Sequence, residues 1–427
     1  MSERLLVAGG LEIVTNARMD VLIENGKIKE IGNGLGKRRE LKGIKKIDAN
    51  QAWITPGLID MHVHLREPGR ESEETIATGT RAAAAGGFTT VLAMPNTQPT
   101  PDSPALIRFL RAKAEKDSPI TVLFAGATTV GQNGKRLSEI GRLARAGAPA
   151  VSDDGKPVSD AGLMRRALEA CAGAGILLIE HCEDLGLSAG GALHEGRTAA
   201  RLAVRGIPGE AESAPAARAV ELARLTGARL HLAHVSSART VELVRRAKAE
   251  GLAVSCEATP HHLALCDSDI PRAGNQADFK MNPPLRSSAD RAAILKGLAD
   301  GTIDAIATDH APHSAAKKSL GLADAPFGVI GLETALAVVL TKLLGKVLTP
   351  KQIVERMSSG PARLLGLKTK GSLQPGMDAD IAVIDPAEAW TVAPPFLSKS
   401  ANSPFVGMRL KGKVRTTISG GRIVHAL

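Results

Sequence analysis

Between about residue 55 and residue 365, short apolar runs alternate with longer stretches rich in Ala, Leu, Arg and Glu, and this alternation restricts the fold more than any other feature. The apolar runs fall at 58–65, 89–94, 121–125, 148–152, 176–180, 230–234, 253–257 and 304–308, and read as strands. Helix-length segments such as 159–174 and 238–250 separate most of them, whereas 184–214 reads as a longer Gly-rich loop before its helix. Such strand–helix units, repeated eight times, match an α/β (β/α)8 barrel better than an open sheet. The two ends of the chain read differently. Residues 21–31 alternate apolar and polar around Asn25-Gly26, a strong hairpin signal, and short strands recur at 379–384, 414–418 and 422–424 around Gly420-Gly421. We therefore expect a small β-sandwich domain built from both termini, 1–54 with 366–427, and a barrel over 55–365.

Composition removes several classes of function. With 44% hydrophobic and 23% charged residues, the 427-residue chain is globular rather than disordered. Aromatic residues make up 2% and Tyr is absent, so the core must be aliphatic and base-stacking platforms for nucleic acid are not expected. The net charge of +10 is scattered, as at 142–145 and 245–248, and reads as a solvated surface that attracts anionic metabolites. Cys171, Cys182, Cys256 and Cys266 show no CxxC spacing and read as buried free thiols in a reducing compartment. Residues 1–7 do not resemble a signal peptide, and no run approaches the ~18 apolar residues of a membrane span, so a cytoplasmic chain without a membrane partner is expected.

The chemistry gathers where the apolar runs end. His62 and His64 lie two apart on one strand, so both imidazoles can face the same ion. The pattern is weak alone, but His181 ends the fifth run, His234 the sixth and Asp309 the eighth. The C-terminal strand ends of a barrel are where such enzymes keep their active sites. Imidazole with carboxylate and no thiolate suits Zn, Mn or Co engaged in hydrolysis. Arg66, two residues past His64, is placed on the same strand face and suits a bidentate grip on a carboxylate.

At this level of detail the motifs become specific. Asp60-Met-His-Val-His-Leu-Arg-Glu-Pro-Gly69, Met94-Pro-Asn-Thr-Gln-Pro99, Ser152-Asp-Asp-Gly155, Glu180-His-Cys-Glu-Asp184, Ala233-His-Val-Ser236, Thr259-Pro-His-His262, Lys280-Met-Asn-Pro-Pro-Leu-Arg286, Ala307-Thr-Asp-His-Ala-Pro-His313 and Pro326-Phe-Gly328 follow one another across nearly the whole chain. In this order the chain resembles the class I, bacterial-type dihydroorotases among the cyclic amidohydrolases of the metal-dependent amidohydrolase superfamily.

The resemblance implies two zinc ions per subunit. His62, His64 and Asp309 would hold the first, His181 and His234 the second, with Asp154 and a water bridging the pair. Many relatives bridge with a carboxylated lysine; here Lys156 lies two residues past Asp154 and is read as a surface lysine. Two such cations would acidify a water and polarise a ring carbonyl, and Asp309 would act as the catalytic base and acid. The resemblance also implies substrate contacts from His64, Arg66, Asn96, Asn282, His313 and the backbone at Phe327 and Gly328. His261 and His262 are read as supporting or loop residues, and His194, His231 and His425 are given no role.

The function so implied is the reversible cyclisation of N-carbamoyl-L-aspartate to L-dihydroorotate plus water in pyrimidine biosynthesis. A hydantoinase or allantoinase activity is the nearest alternative. A non-catalytic homologue that scaffolds aspartate transcarbamoylase is the alternative from another class. A second copy of this chain is the other protein partner the resemblance allows.

Overall fold

All eight expected barrel strands form in the computed structural model, which describes residues 4–427. Leu58–Val63 is buried along its whole length, as a strand covered by helices outside and side chains inside must be. It pairs in parallel with Phe88–Ala93, which pairs with Thr121–Phe124. The third strand breaks at Ala125 and resumes as Gly126–Ala127 beside Ala150–Ser152. Leu177–Glu180, Leu230–Leu232, Val254–Ala258 and Ala305–Ile306 continue the parallel order. Val63 and His310 form a bridge that closes the ring, and the His64 N–H donates to the His310 carbonyl at 2.8 Å. The eighth strand is pinned to the first by Asp60, whose carboxylate accepts the Thr308 N–H at 3.1 Å.

The covering helices follow from their ends and apolar faces. Ala161–Ala174 starts where Asp160 accepts the Leu163 N–H and stops at Gly175, in the left-handed conformation. Its buried residues Leu163, Met164, Ala167, Leu168 and Cys171 recur at the spacing of one helical face. Ser237 caps Ala238–Ala249 in the same way.

The 184–214 stretch is not a plain loop. It holds the short helices Leu185–Ser188 and Arg197–Arg201 and a strand pair, Leu193–His194 with Gly206–Ile207, and the helix Glu210–Thr226 begins inside it. Its order depends on a distant residue: buried Arg286 donates to the carbonyls of Ile207, at 2.9 Å, and Pro208, at 3.2 Å.

Strands from both termini share one sheet. Ile381–Thr391 pairs with Trp53–Pro56 on one edge and Arg409–Ser419 on the other, and Trp53–Pro56 continues through Arg4–Glu12 and Arg18–Glu24 to Lys27–Gly32. The Asn25-Gly26 turn forms with φ +51° and +76°, the left-handed pair that a two-residue hairpin demands. Along Ile381–Thr391 the pleat divides the labour. Ile381 and Val383 enter the small domain's own core, while Ala382 and Ile384 pack into the barrel's. Residues 392–408 leave this sheet, and Val392 and Phe405 pack with Met281, Leu285 and Val329 beside the barrel rim. The four cysteines are buried and free. Among the described residues, no helix is long and apolar enough to cross a membrane.

Candidate active site

His62 sits in the last turn of the first strand's pleat, and His64 lies just past its end. Asp154, His181 and His234 each follow the end of their own strand by one or two residues. Their ligating atoms form two sets that share one member: His62, His64 and Asp154, and Asp154, His181 and His234. Asp154 Oδ1 is 3.3 Å from His62 Nε2, 3.5 Å from His181 Nδ1 and 3.7 Å from His234 Nε2, while its Oδ2 is 3.6 Å from His64 Nε2. Asp309 flanks the first set, with Oδ1 3.0 Å from His64 Nε2 and 3.7 Å from His62 Nε2.

This donor set fits divalent cations. All six side chains are buried, and His62 Nε2 and Asp154 Oδ1 point into the cluster without a hydrogen-bond partner. Buried polar atoms left that way are costly unless an ion satisfies them. Burial pushes Asp154 up, but the surrounding His62, His181 and His234 outweigh it and hold the carboxyl well below its usual range. Burial also pushes Asp309 up, and it too is outweighed, by the hydrogen bond with His64 and the nearby His62 and His234, so the group stays ionised.

A surrounding layer of residues orients the imidazoles, and sequence reasoning missed most of it. His62 Nδ1–H donates to Glu257 at 2.9 Å, leaving Nε2 to face the cluster. The other Glu257 oxygen accepts from His231 Nε2 at 3.2 Å, and Ser255 Oγ lies 2.8 Å from His231 Nδ1. His231, given no role above, therefore helps hold the carboxylate that aims His62. On the other side, Glu183 accepts from His181 Nε2 at 3.0 Å and from Asn282 Nδ2 at 2.9 Å. His262 Nε2 donates to the Pro283 carbonyl at 3.0 Å, which makes it a loop anchor. Lys156 is exposed, and its backbone N–H closes a turn onto the Asp153 carbonyl at 2.8 Å.

Beside the cluster lies a cavity of about 220 Å³ lined by His64, Arg66, Asn96, Asn282, His313, Phe327 and Gly328, with Arg70 at its edge. Arg66 does not reach it by strand pleating, because the strand has ended at Val63. A left-handed turn at Arg66, with φ +59°, swings the side chain inward instead. His234 and Asp309 share this conformation at φ +31° and +46°, a concentration of backbone strain typical of functional sites. Arg66 donates to the Pro312 carbonyl at 3.1 Å, and burial followed by repulsion from Arg70 pulls its ordinary value down to about 10, so it stays charged near neutral pH. Burial, then Arg66, pulls His313 down to about 3, so its neutral ring donates from Nε2 to the Phe327 carbonyl at 2.7 Å. Buried Glu73 balances this cationic wall, pairing with Arg70 and, at 2.6 Å, with Lys317.

Comparison with known proteins agrees with this architecture. The Dihydro-orotase-like family model matches residues 52–240. The dihydroorotase of Anaeromyxobacter sp. (strain K) is 48% identical over 430 aligned positions, covering 100% of this chain and 98% of that one. That of Pelotomaculum thermopropionicum is 50% identical over 427 positions, covering 99% and 98%.

The chain belongs to the dihydroorotase family.

Solved structures extend the likeness to the fold of related amidohydrolases. The L-hydantoinase (dihydropyrimidinase) from Arthrobacter aurescens superposes with a TM-score of 0.87 at 28% identity, covering 100% of this chain and 96% of that one. A D-hydantoinase at 24% identity and a TM-score of 0.85 shares the fold, a barrel with an appended β-sandwich. Membership in the family makes the chain an enzyme, and the His/Asp cluster at the barrel rim is the place in it suited to divalent metal.

Proposed function

We propose that this enzyme is a class I dihydroorotase that interconverts N-carbamoyl-L-aspartate and L-dihydroorotate plus water, a step of pyrimidine biosynthesis. In this reading His62, His64 and Asp309 would hold one zinc ion and His181 and His234 a second, with Asp154 shared between the two sets. When bound, such a pair acidifies water and polarises a carbonyl oxygen, which is the chemistry amide hydrolysis needs. The remaining work falls to the chain. Arg66 anchors the substrate's free carboxylate, with Asn96 and neutral His313 alongside. Asn282 and the Phe327–Gly328 backbone confine the ring. The ionised Asp309 carboxylate takes the proton released by the attacking water and returns it to the ring nitrogen as the C–N bond breaks; in the biosynthetic direction the same transfer runs in reverse. The two-part division, 1–54 with 366–427 against 55–365, belongs to this proposal as well, the barrel carrying the chemistry.

The observation that carries the substrate assignment is the buried, charged Arg66 lining the same cavity as the His/Asp cluster. A cyclic amide without a carboxylate would leave that guanidinium without an anionic partner from the substrate. The test is the metal content of the purified enzyme together with turnover of dihydroorotate, hydantoin and allantoin, before and after chelation. Faster turnover of hydantoin than of dihydroorotate overturns the substrate, and full activity after complete metal removal overturns the metal.

A further inference from the structure

Past Asp309 and His313 the chain turns into the short helix Ala315–Lys318, whose last residue does something unusual for a lysine. The Lys318 side chain points inward and is 7% exposed. Its ammonium donates to three backbone carbonyls, those of Gly328 at 2.9 Å, Pro326 at 3.1 Å and Lys280 at 3.3 Å. An ammonium has three N–H groups, and here each has its own acceptor. The three carbonyls belong to the two segments that line the cavity beside the His/Asp cluster, one carrying Asn282 and the other Phe327 and Gly328.

The same junction is reinforced from two further directions. The Gly328 N–H donates to the Lys280 carbonyl at 3.0 Å. The Lys280 ammonium donates to Ala323 at 2.7 Å and lies 4.7 Å from the centre of the Phe327 ring. Gly328 leaves little slack, since at φ +135° an added Cβ would meet the Ala311 carbonyl oxygen at 2.7 Å. Removing the Lys318 cation would leave three carbonyl oxygens converging on one buried point without a donor. They would then separate or admit water.

We infer that Lys318 is a positioning residue for substrate binding, a staple that holds the Asn282 and Phe327–Gly328 segments at the spacing the ring requires. It touches neither the His/Asp cluster nor the cavity beside it. Its contribution therefore falls on binding of the substrate rather than on bond breaking, an assignment that rests on the function proposed above. A second cavity of about 390 Å³, lined by Lys318, Asp278, Gln276 and His313, reaches the staple from the other side. A small cation can thus replace the side chain from outside.

The test uses Lys318→Ala and Lys318→Met in the full-length, zinc-loaded enzyme, with propylammonium added to the alanine variant, because its three carbons and ammonium replace the atoms removed. Propanol and tetramethylammonium chloride are the controls for shape and for ionic strength. For dihydroorotate, KM should rise by about tenfold or more, the loss expected for hydrogen bonds from a buried charge, while kcat and zinc content stay near those of the unaltered enzyme. Propylammonium, and neither control, should restore most of the KM in Lys318→Ala and little in Lys318→Met, whose longer side chain fills the space. Amide hydrogen exchange in peptides spanning 280–284 and 326–330 should accelerate in both variants and slow again with propylammonium in Lys318→Ala. Unchanged KM with unchanged exchange overturns the staple. So does a fall in kcat and zinc content together without recovery in propylammonium, which would make Lys318 a general folding element. If the unaltered enzyme does not turn over dihydroorotate, the proposed function fails, and the exchange measurement alone then decides the staple.

Discussion

If Arg66 recognises the substrate as proposed, replacing it with methionine should separate recognition of a carboxylate from the rest of the catalytic apparatus. Methionine keeps much of the apolar stem and removes the charge and all of the donors. Arg66 is 4% exposed, so the pair it would form with a substrate carboxylate escapes most screening by water. Truncating one partner of a buried, hydrogen-bonded ion pair costs about 2–5 kcal/mol, or roughly 30-fold to several thousand-fold in binding. The protein itself also loses contacts: Glu73 loses the guanidinium 3.9 Å away but keeps Arg70 and Lys317 as counter-charges, and the Pro312 carbonyl loses its Arg66 donor, about 1–3 kcal/mol of stability.

The assay is kcat/KM for dihydroorotate against hydantoin and dihydrouracil, which carry no carboxylate, with metal content and melting temperature measured on the same samples. Arg66→Met should lose most of its kcat/KM for dihydroorotate, keep its metal content, and leave any weak activity on carboxylate-free rings within about threefold of the parent. Loss of metal would make Arg66 a structural support of the cluster. An equal fall on every ring would place it in the general machinery. Unchanged kcat/KM for dihydroorotate would refute the argument outright.

Three further outcomes follow from the same geometry. If the cluster holds two metal ions as proposed, Asp154→Asn should lower metal content to about one ion or fewer per chain and abolish most activity, because a shared carboxylate would offset repulsion between two dications; Lys156→Ala should leave both readings close to the parent. Glu257→Gln should weaken divalent-metal affinity by about 10- to 100-fold in a chelator competition, since it removes the carboxylate that orients His62, and unaltered affinity would show that orientation to be unimportant. Glu74 is buried, which pushes its carboxyl up, but the hydrogen bonds from His310, Ser398 and Thr78 outweigh this and hold it below its ordinary 4.5. For an acid so depressed the stabilisation is complete above the unfolded value and fades as pH falls below about 4.5 through the folded one. The melting temperature should therefore drop over that window, and Glu74→Gln should flatten the drop.

What could be read from the chain, and what could not, divides by the range of the signal. His62, His64, His181, His234 and Asp309 were legible because each ends an apolar run, and the strand order of a barrel brings run ends to one rim. The inward turn of Arg66 was not, since a left-handed residue other than glycine leaves no mark in a periodicity. The orienting layer was hidden for a different reason. His62 and Glu257 are 195 residues apart, and the Lys318 ammonium bonds to segments 8 to 38 residues away, so no local pattern pairs them. Glu257 nevertheless carried a usable clue. It stands inside Val254–Ala258, a strand whose five residues are all buried, and an ionised carboxylate survives there only with donors supplied from elsewhere in the fold. Burial pushes Glu257 up, yet His231 and His62 outweigh it and hold the carboxyl below its usual range, so the charge does persist. A charged residue in the middle of an apolar barrel strand thus points to a partner on a neighbouring strand. Here two imidazoles answer it, His62 from the first barrel strand and His231 from the strand that leads to His234.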